Sequence, residues 1–349
     1  MTKRGAVEIQ FNWLFVFIIG ALILLFFTSF AMKQKKSEET NLDLTILRDI
    51  DTIITQAAVS SGTSDVVKLA KPIEFSCEEC TKQGCVSTLS IGSGPNRPTT
   101  VQPIFSPTLI QDKELLTWSI GWSLPYKATD FLLVSSPDIR YVFVKDPAKD
   151  TTNYITKLYS EIPDKFTKET VPAAQLITLS DKNHVMVKFV FYKGTHVELP
   201  PSLKSMADSQ VSAIVIDKTK PDSGFITFYQ KHGNQFQRKG LSPFVTDALA
   251  YGAIFSQDRD FYECNLWKTL LRYRLVTEVY AQKVELISQS ASGCSYAESF
   301  QIFPDILSRT DNILGRTNNL NETLNIREEA IKLQEKNDKL KILSCPLIY

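Results

Sequence analysis

Residues 11 to 32, Phe11 to Met32, carry no charge and are dominated by Phe, Leu, Ile and Val. A helix of this length spans roughly 33 Å, enough for a hydrocarbon core of about 30 Å. Each large apolar residue favours insertion by roughly 0.3 to 0.6 kcal/mol, so the segment is predicted to be an uncleaved transmembrane anchor. It exceeds the apolar stretch of about 7 to 15 residues usual in a cleaved leader, and Ser29-Phe30-Ala31 is a poor cleavage site. A body of over 300 residues follows it. Lys3 and Arg4 on one flank nearly balance Lys33, Lys35 and Lys36 on the other, so flanking charge does not choose the orientation. The three lysines after the helix are placed to meet lipid headgroups.

Lys3-Arg4-Gly5-Ala6-Val7-Glu8, run directly into a long apolar helix, resembles the class III signal of archaeal type IV pilin-like proteins. The resemblance covers about thirty residues and implies peptidase cleavage after Gly5. Glu8 is the third residue after Gly5, where that family places its glutamate fifth. The residues themselves read first as a basic cap on a signal anchor, with Glu8 suited to a helix N-terminus. The whole layout is similar to uncharacterised single-pass archaeal envelope proteins, a likeness that brings no activity with it.

The balance of the body is globular: 43% hydrophobic, 22% charged, net charge +1. That charge gives no general attraction to nucleic acid, and no recognition motif for it is present. The six cysteines are Cys77, Cys80, Cys85, Cys264, Cys294 and Cys345. An even number in an anchored chain predicts three disulfides outside the cytoplasm, with fifteen pairings open. Cys345, close to the C-terminus, is expected to pin the chain end to Cys294 or Cys264. Cys77-x-x-Cys80 with Cys85 also fits zinc, given a distant fourth ligand, or a redox pair. A redox pair should open a helix, whereas Thr81-Lys82-Gln83-Gly84 reads as a turn after a strand at Ile73-Glu74-Phe75. Disulfides are the favoured reading, with no metal and no cofactor. Asn321-Glu322-Thr323 is the single glycosylation sequon.

The chain divides into a tail (1–10), the anchor (11–32), a stalk (33–64), a β-leaning cysteine region (65–127), an α/β domain (128–240) and a helical C-terminal region (241–349). The fold class is α/β or α+β, with a mixed sheet. In the stalk, Leu47, Ile50, Ile54 and Ala57 keep helical spacing over 42–58, with Ile46 and Ile53 beside them. Gly92 to Pro98 is a loop, and Trp118 and Trp122 are expected in the core rather than on a binding surface. Apolar runs at 131–134 and 141–144, a helix from Thr152 to Ile162 stopped by Pro163, and strands near 184–192, 211–217 and 225–229 predict a partly parallel sheet covered on both faces. The glycine loop of a dinucleotide fold is missing. A long helix is predicted over 243–289, capped by Ser242 with Pro243 first, buried through Tyr251, Phe255, Tyr262, Leu266 and Leu270, and broken near Asp258-Arg259-Asp260. Ile326, Ala330, Leu333, Asn337 and Leu340 give a further helical face within 297–345.

The three histidines, His184, His196 and His232, sit in no catalytic motif, and no carboxylate pair is marked as acid and base. Three functional readings follow. The first is an extracytoplasmic binding or structural module of the cell envelope, touching lipid and other envelope proteins, in a pilus-like or secretion assembly among its settings. The second is a membrane-tethered enzyme with its site at the strand ends, lined by Ser135 to Asp138 and the loop after Asp217. The third is a cytoplasm-facing zinc protein using Cys77, Cys80 and Cys85. The absence of catalytic motifs leans away from an enzyme.

Overall fold

The computed structural model describes residues 15–34, 48, 50, 52, 55–56, 60–81, 84–92, 97–98, 102–180, 183–291, 293–315 and 321–349. Phe11, Lys3 to Glu8, Lys35, Lys36 and most of the predicted stalk helix lie outside these residues. Helix α1 (Phe15–Gln34) is long and apolar enough to cross a membrane, and none of it is buried against the body. Met32 near its end is 73% exposed. Of the predicted stalk positions, Ile50 is helical and buried, packed in a cluster with Ile73, Phe75 and Phe261.

The body contains mixed sheets and helices, ending in a helical part. Among the described residues there are three sheets. The first joins β1 (Ser64–Lys68), β7 (Glu114–Ser123), β8 (Lys127–Ser135) and β5 (Ile104–Phe105), with β7 and β8 an antiparallel hairpin. The second joins β4 (Arg97–Pro98), β3 (Gly84–Ile91), β2 (Ile73–Thr81) and β6 (Leu109–Ile110). The third has the order β10 (Lys168–Pro172), β9 (Ile139–Lys145), β11 (Met186–Tyr192), β12 (Val211–Lys220), β13 (Ser223–His232), β14 (Gln235–Val245). Its first four strands are parallel and the last two form an antiparallel hairpin.

The uninterrupted apolar runs follow from burial on both faces of a sheet, where alternate side chains enter different clusters. On β9, Tyr141 and Phe143 enter the main core while Val142 and Val144 enter a second cluster with Phe189, Phe191 and Ala213. On β8, Phe131 and Leu133 face the main core, and Leu132 and Val134 face the cluster that holds Ile50. The helix predicted after β9 is α2 (Tyr154–Glu161), which buries Tyr154, Ile155 and Leu158 and stops before Pro163.

The long helix predicted from Ser242 begins later. Ser242 and Pro243 lie on β14, where Pro243 stands opposite Phe225. Cap and proline are local signals, and a proline is equally tolerated on an edge strand because its missing N–H faces no partner. The cross-strand pairing with β13 decides. Two helices follow: α3 (Asp247–Phe255) and the 32-residue α4 (Arg259–Ser290). The break falls at the predicted Asp258-Arg259-Asp260, and the Asp258 carboxylate caps α4 by accepting the Phe261 N–H at 2.9 Å.

Helix α3 is buried almost all round. At Gly252 an added Cβ would lie 2.9 Å from the Phe105 ring, so only glycine allows this approach of α3 to β5. Then come α5 (Ser299–Leu314) and α6 (Asn321–Ile342), and all five residues of the predicted C-terminal helical face are buried. The helices share one continuous core with the six-stranded sheet, running from Phe105 to Ile348.

Candidate functional site

The cysteines gather at two places. The β2–β3 hairpin presents Cys77, Cys80 and Cys85, with Cys80 directly opposite Cys85 and Cys77 opposite Ser87. Facing them, one turn into α4, is Cys264. The bonds are Cys77–Cys264 and Cys80–Cys85. The two bridges touch: Sγ of Cys80 is 3.4 Å from Sγ of Cys264, and the sulfurs of Cys80, Cys85 and Cys264 all lie within 4.8 Å of one another. Spacing could not have revealed Cys264 here, because it is 187 residues from Cys77 and only the fold brings it across. The third bond, Cys294–Cys345, ties the chain end to the segment after α4. All six cysteines are bonded.

Lys268 lies one turn beyond Cys264, on the same side of α4. It is 3% exposed and its amine donates to the Ser87 hydroxyl. Burial lowers its pKa to about 8.

A second concentration of polar groups lies at the amino ends of β9, β11 and β12. The depression there, about 310 Å³, is lined by Asp112, Asp138, Ser209 and Gln257 among others. Asp138 is pushed up by desolvation, with repulsion from Asp112 adding to it. An adjoining depression of about 530 Å³ shares Ser209 and Gln257 and adds Asp208, His232, Lys239 and Arg259. Below them the Gln257 N–H donates to the Ser106 carbonyl at 3.0 Å. Buried Oγ of Ser106, Oγ of Ser212 and Oε1 of Gln257 have no hydrogen-bond partner among the described residues.

Lys188 on β11 is fully buried beside this floor. Its amine donates to the carbonyls of Ala253, at 3.0 Å, and Ser256, at the C-terminal end of α3. Burial pulls its pKa down to about 7, and the Asp258 carboxylate opposes that. Unfolded, the amine titrates near 10.4. Between these values this amine holds its proton in the unfolded state and has lost it in the folded one, so its contribution to stability rises with pH. The expected result is a chain that becomes harder to unfold from about pH 7 to about pH 9, below the range in which the phenols of the unfolded state ionise, with Lys188→Met reducing the rise. Urea midpoints measured across that range check it. A wild-type midpoint that falls over this interval contradicts it.

The two loops of the strand-end reading do not meet. Ser135 to Asp138 precede β9, while the residues after Asp217 lie past the stretch of β12 paired with β11, still on the strand and paired with β13. With β9, β11 and β12 parallel, these are opposite ends of the sheet. His184 and His196 are likewise at opposite ends of β11, and His232 lies 3.6 Å from Asp208. The predicted core tryptophans are buried, Trp118 edge-on to Tyr251 and Phe255, and Trp122 between Phe131 and Tyr273. Thr323 of the sequon is 4% exposed. Comparison with protein-family models, with curated proteins and with solved structures finds no match.

Proposed function

We propose that this chain is a membrane-anchored, extracytoplasmic module of the cell envelope that works by contact with lipid and other envelope proteins. The observation that carries this reading is the pairing of an unburied 20-residue apolar helix with a body whose six cysteines are all bonded. Disulfides persist in oxidising compartments and are removed by the thiol systems of the cytosol. The mixed-charge cleft around Ser209 and Gln257 supports a binding role, since it offers donors and acceptors of both signs without a set catalytic constellation.

The experiment is protease shaving of intact cells that express the full chain, followed by fractionation. The expected outcome is a body degraded from outside, an anchor recovered with the membrane pellet, and no free thiols after alkylation in the native state. A body protected until the cells are lysed, together with six alkylated cysteines, rejects the reading.

A further inference from the structure

The two touching bridges have an arrangement that structural staples do not need. Cys77, Cys80, Cys85 and Ser87 occupy one face of the β2–β3 hairpin: Cys85 and Ser87 alternate onto it along β3, Cys77 pairs with Ser87, and the register shift between Glu78 and Cys80 brings Cys80 onto the same face opposite Cys85. Cys264 and Lys268 of α4 close over that face. We propose that this is a thiol–disulfide exchange site for a dithiol substrate, in which Cys80–Cys85 receives the incoming thiolate and Cys80 then passes the bond to Cys264. The inference does not depend on which side of the membrane the body lies.

The steps balance within the groups named. A substrate thiolate attacks Sγ of Cys85, which is half-buried where Cys80 is 8% exposed. The S–S bond of Cys80–Cys85 breaks, a mixed disulfide forms between substrate and Cys85, and Cys80 leaves as thiolate. That thiolate starts 3.4 Å from Sγ of Cys264. It attacks there, forming Cys80–Cys264 and releasing Cys77 as thiolate. The second thiolate of the substrate attacks its own sulfur in the mixed disulfide, forming the substrate disulfide and freeing Cys85. The substrate loses two electrons and two protons. The chain gains them as thiols on Cys77 and Cys85, and keeps one bridge between hairpin and helix throughout.

Lys268 is the positioning residue. Its buried cation, hydrogen-bonded to the Ser87 hydroxyl that stands opposite Cys77, favours the thiolate form of the leaving and attacking sulfurs. A purely packing role for this side chain would be served as well by methionine.

The test uses the purified full chain in detergent with dithiothreitol as the dithiol. Timed samples are acid-quenched, alkylated and mapped as non-reduced peptides. The expected first product carries a Cys80–Cys264 link with Cys77 and Cys85 alkylated. Persistence of Cys77–Cys264 with only Cys80 and Cys85 alkylated overturns the proposal, and so does simultaneous alkylation of all four. Cys85→Ser supplies an independent reading, because it leaves Cys80 as a thiol with no reductant added. Its expected peptide map contains both Cys77–Cys264 and Cys80–Cys264, and a map holding Cys77–Cys264 alone counts against exchange. Adding Lys268→Met to Cys85→Ser is expected to move the pH midpoint of alkylation upward by about one unit, roughly tenfold slower labelling at neutral pH. An unmoved pH profile removes Lys268 from the site.

Discussion

Replacing Cys77 and Cys264 together by alanine is expected to lower the unfolding free energy by about 5 kcal/mol, the largest effect of any single bridge. The bond closes a loop with a sequence separation of 187 residues, so its loss returns a large chain entropy to the unfolded state. It also joins two parts of the fold, the cysteine hairpin and the start of α4, that meet in addition through Ile73, Phe75 and Phe261 of one apolar cluster and through the Lys268–Ser87 hydrogen bond. The same reasoning assigns about 4 kcal/mol to Cys294–Cys345, separated by 51, and about 2 kcal/mol to Cys80–Cys85, separated by 5. Denaturant unfolding of the three double-alanine variants, without reductant, checks the ranking. A Cys80–Cys85 deletion that costs as much as the Cys77–Cys264 deletion would show that the hairpin bridge restrains native packing instead. The small entropic weight of Cys80–Cys85 also suits it to be the member that opens.

Trp122→Ala should cost about 4 kcal/mol. The indole is 1% exposed, stacks on Phe131 of the β7–β8 hairpin and meets Tyr273 of α4 edge-on. Its Nε1 donates to the carbonyl of Val245 at the end of β14, at 3.2 Å. One side chain thus ties the first sheet, the edge of the six-stranded sheet and the long helix into a shared core. Truncation leaves a cavity where three elements meet and strands the Val245 acceptor. Trp122→Phe is expected to recover part of the loss, since it restores ring contacts without the donor. Chemical denaturation of both variants separates the two contributions. An alanine variant within 1 kcal/mol of the wild type would place the indole outside the cooperative core.

Where local signals agreed with the packing, the elements were legible. Pro163 stops α2, and Asp258-Arg259-Asp260 marks the junction of α3 and α4. Ser242 and Pro243 show the opposite case. Their cap-like order has the same local chemistry on an edge strand, and ten residues of pairing to β13 outweigh it. The alternation of Tyr141 to Val144 between two clusters was readable as burial on both faces, but not which helices would supply the cover. Lys188 and Lys268 gave no signal at all, because an isolated lysine in an apolar run carries no mark of the carbonyls or hydroxyl that receive it.

What the amino-acid order determined by itself is the part that depends on short-range hydrophobicity and periodicity. The membrane-length helix, the mixed α and β character, the helical C-terminal part and the core role of the tryptophans all belong there. What only the tertiary structure decided is every relation across long stretches of chain: the partner of each cysteine, the contact between two disulfides, and the separation of the two loops that a strand-end site would need. These depend on which strands pair and in what direction, and that choice is made by the burial of whole faces, which no local window of sequence contains.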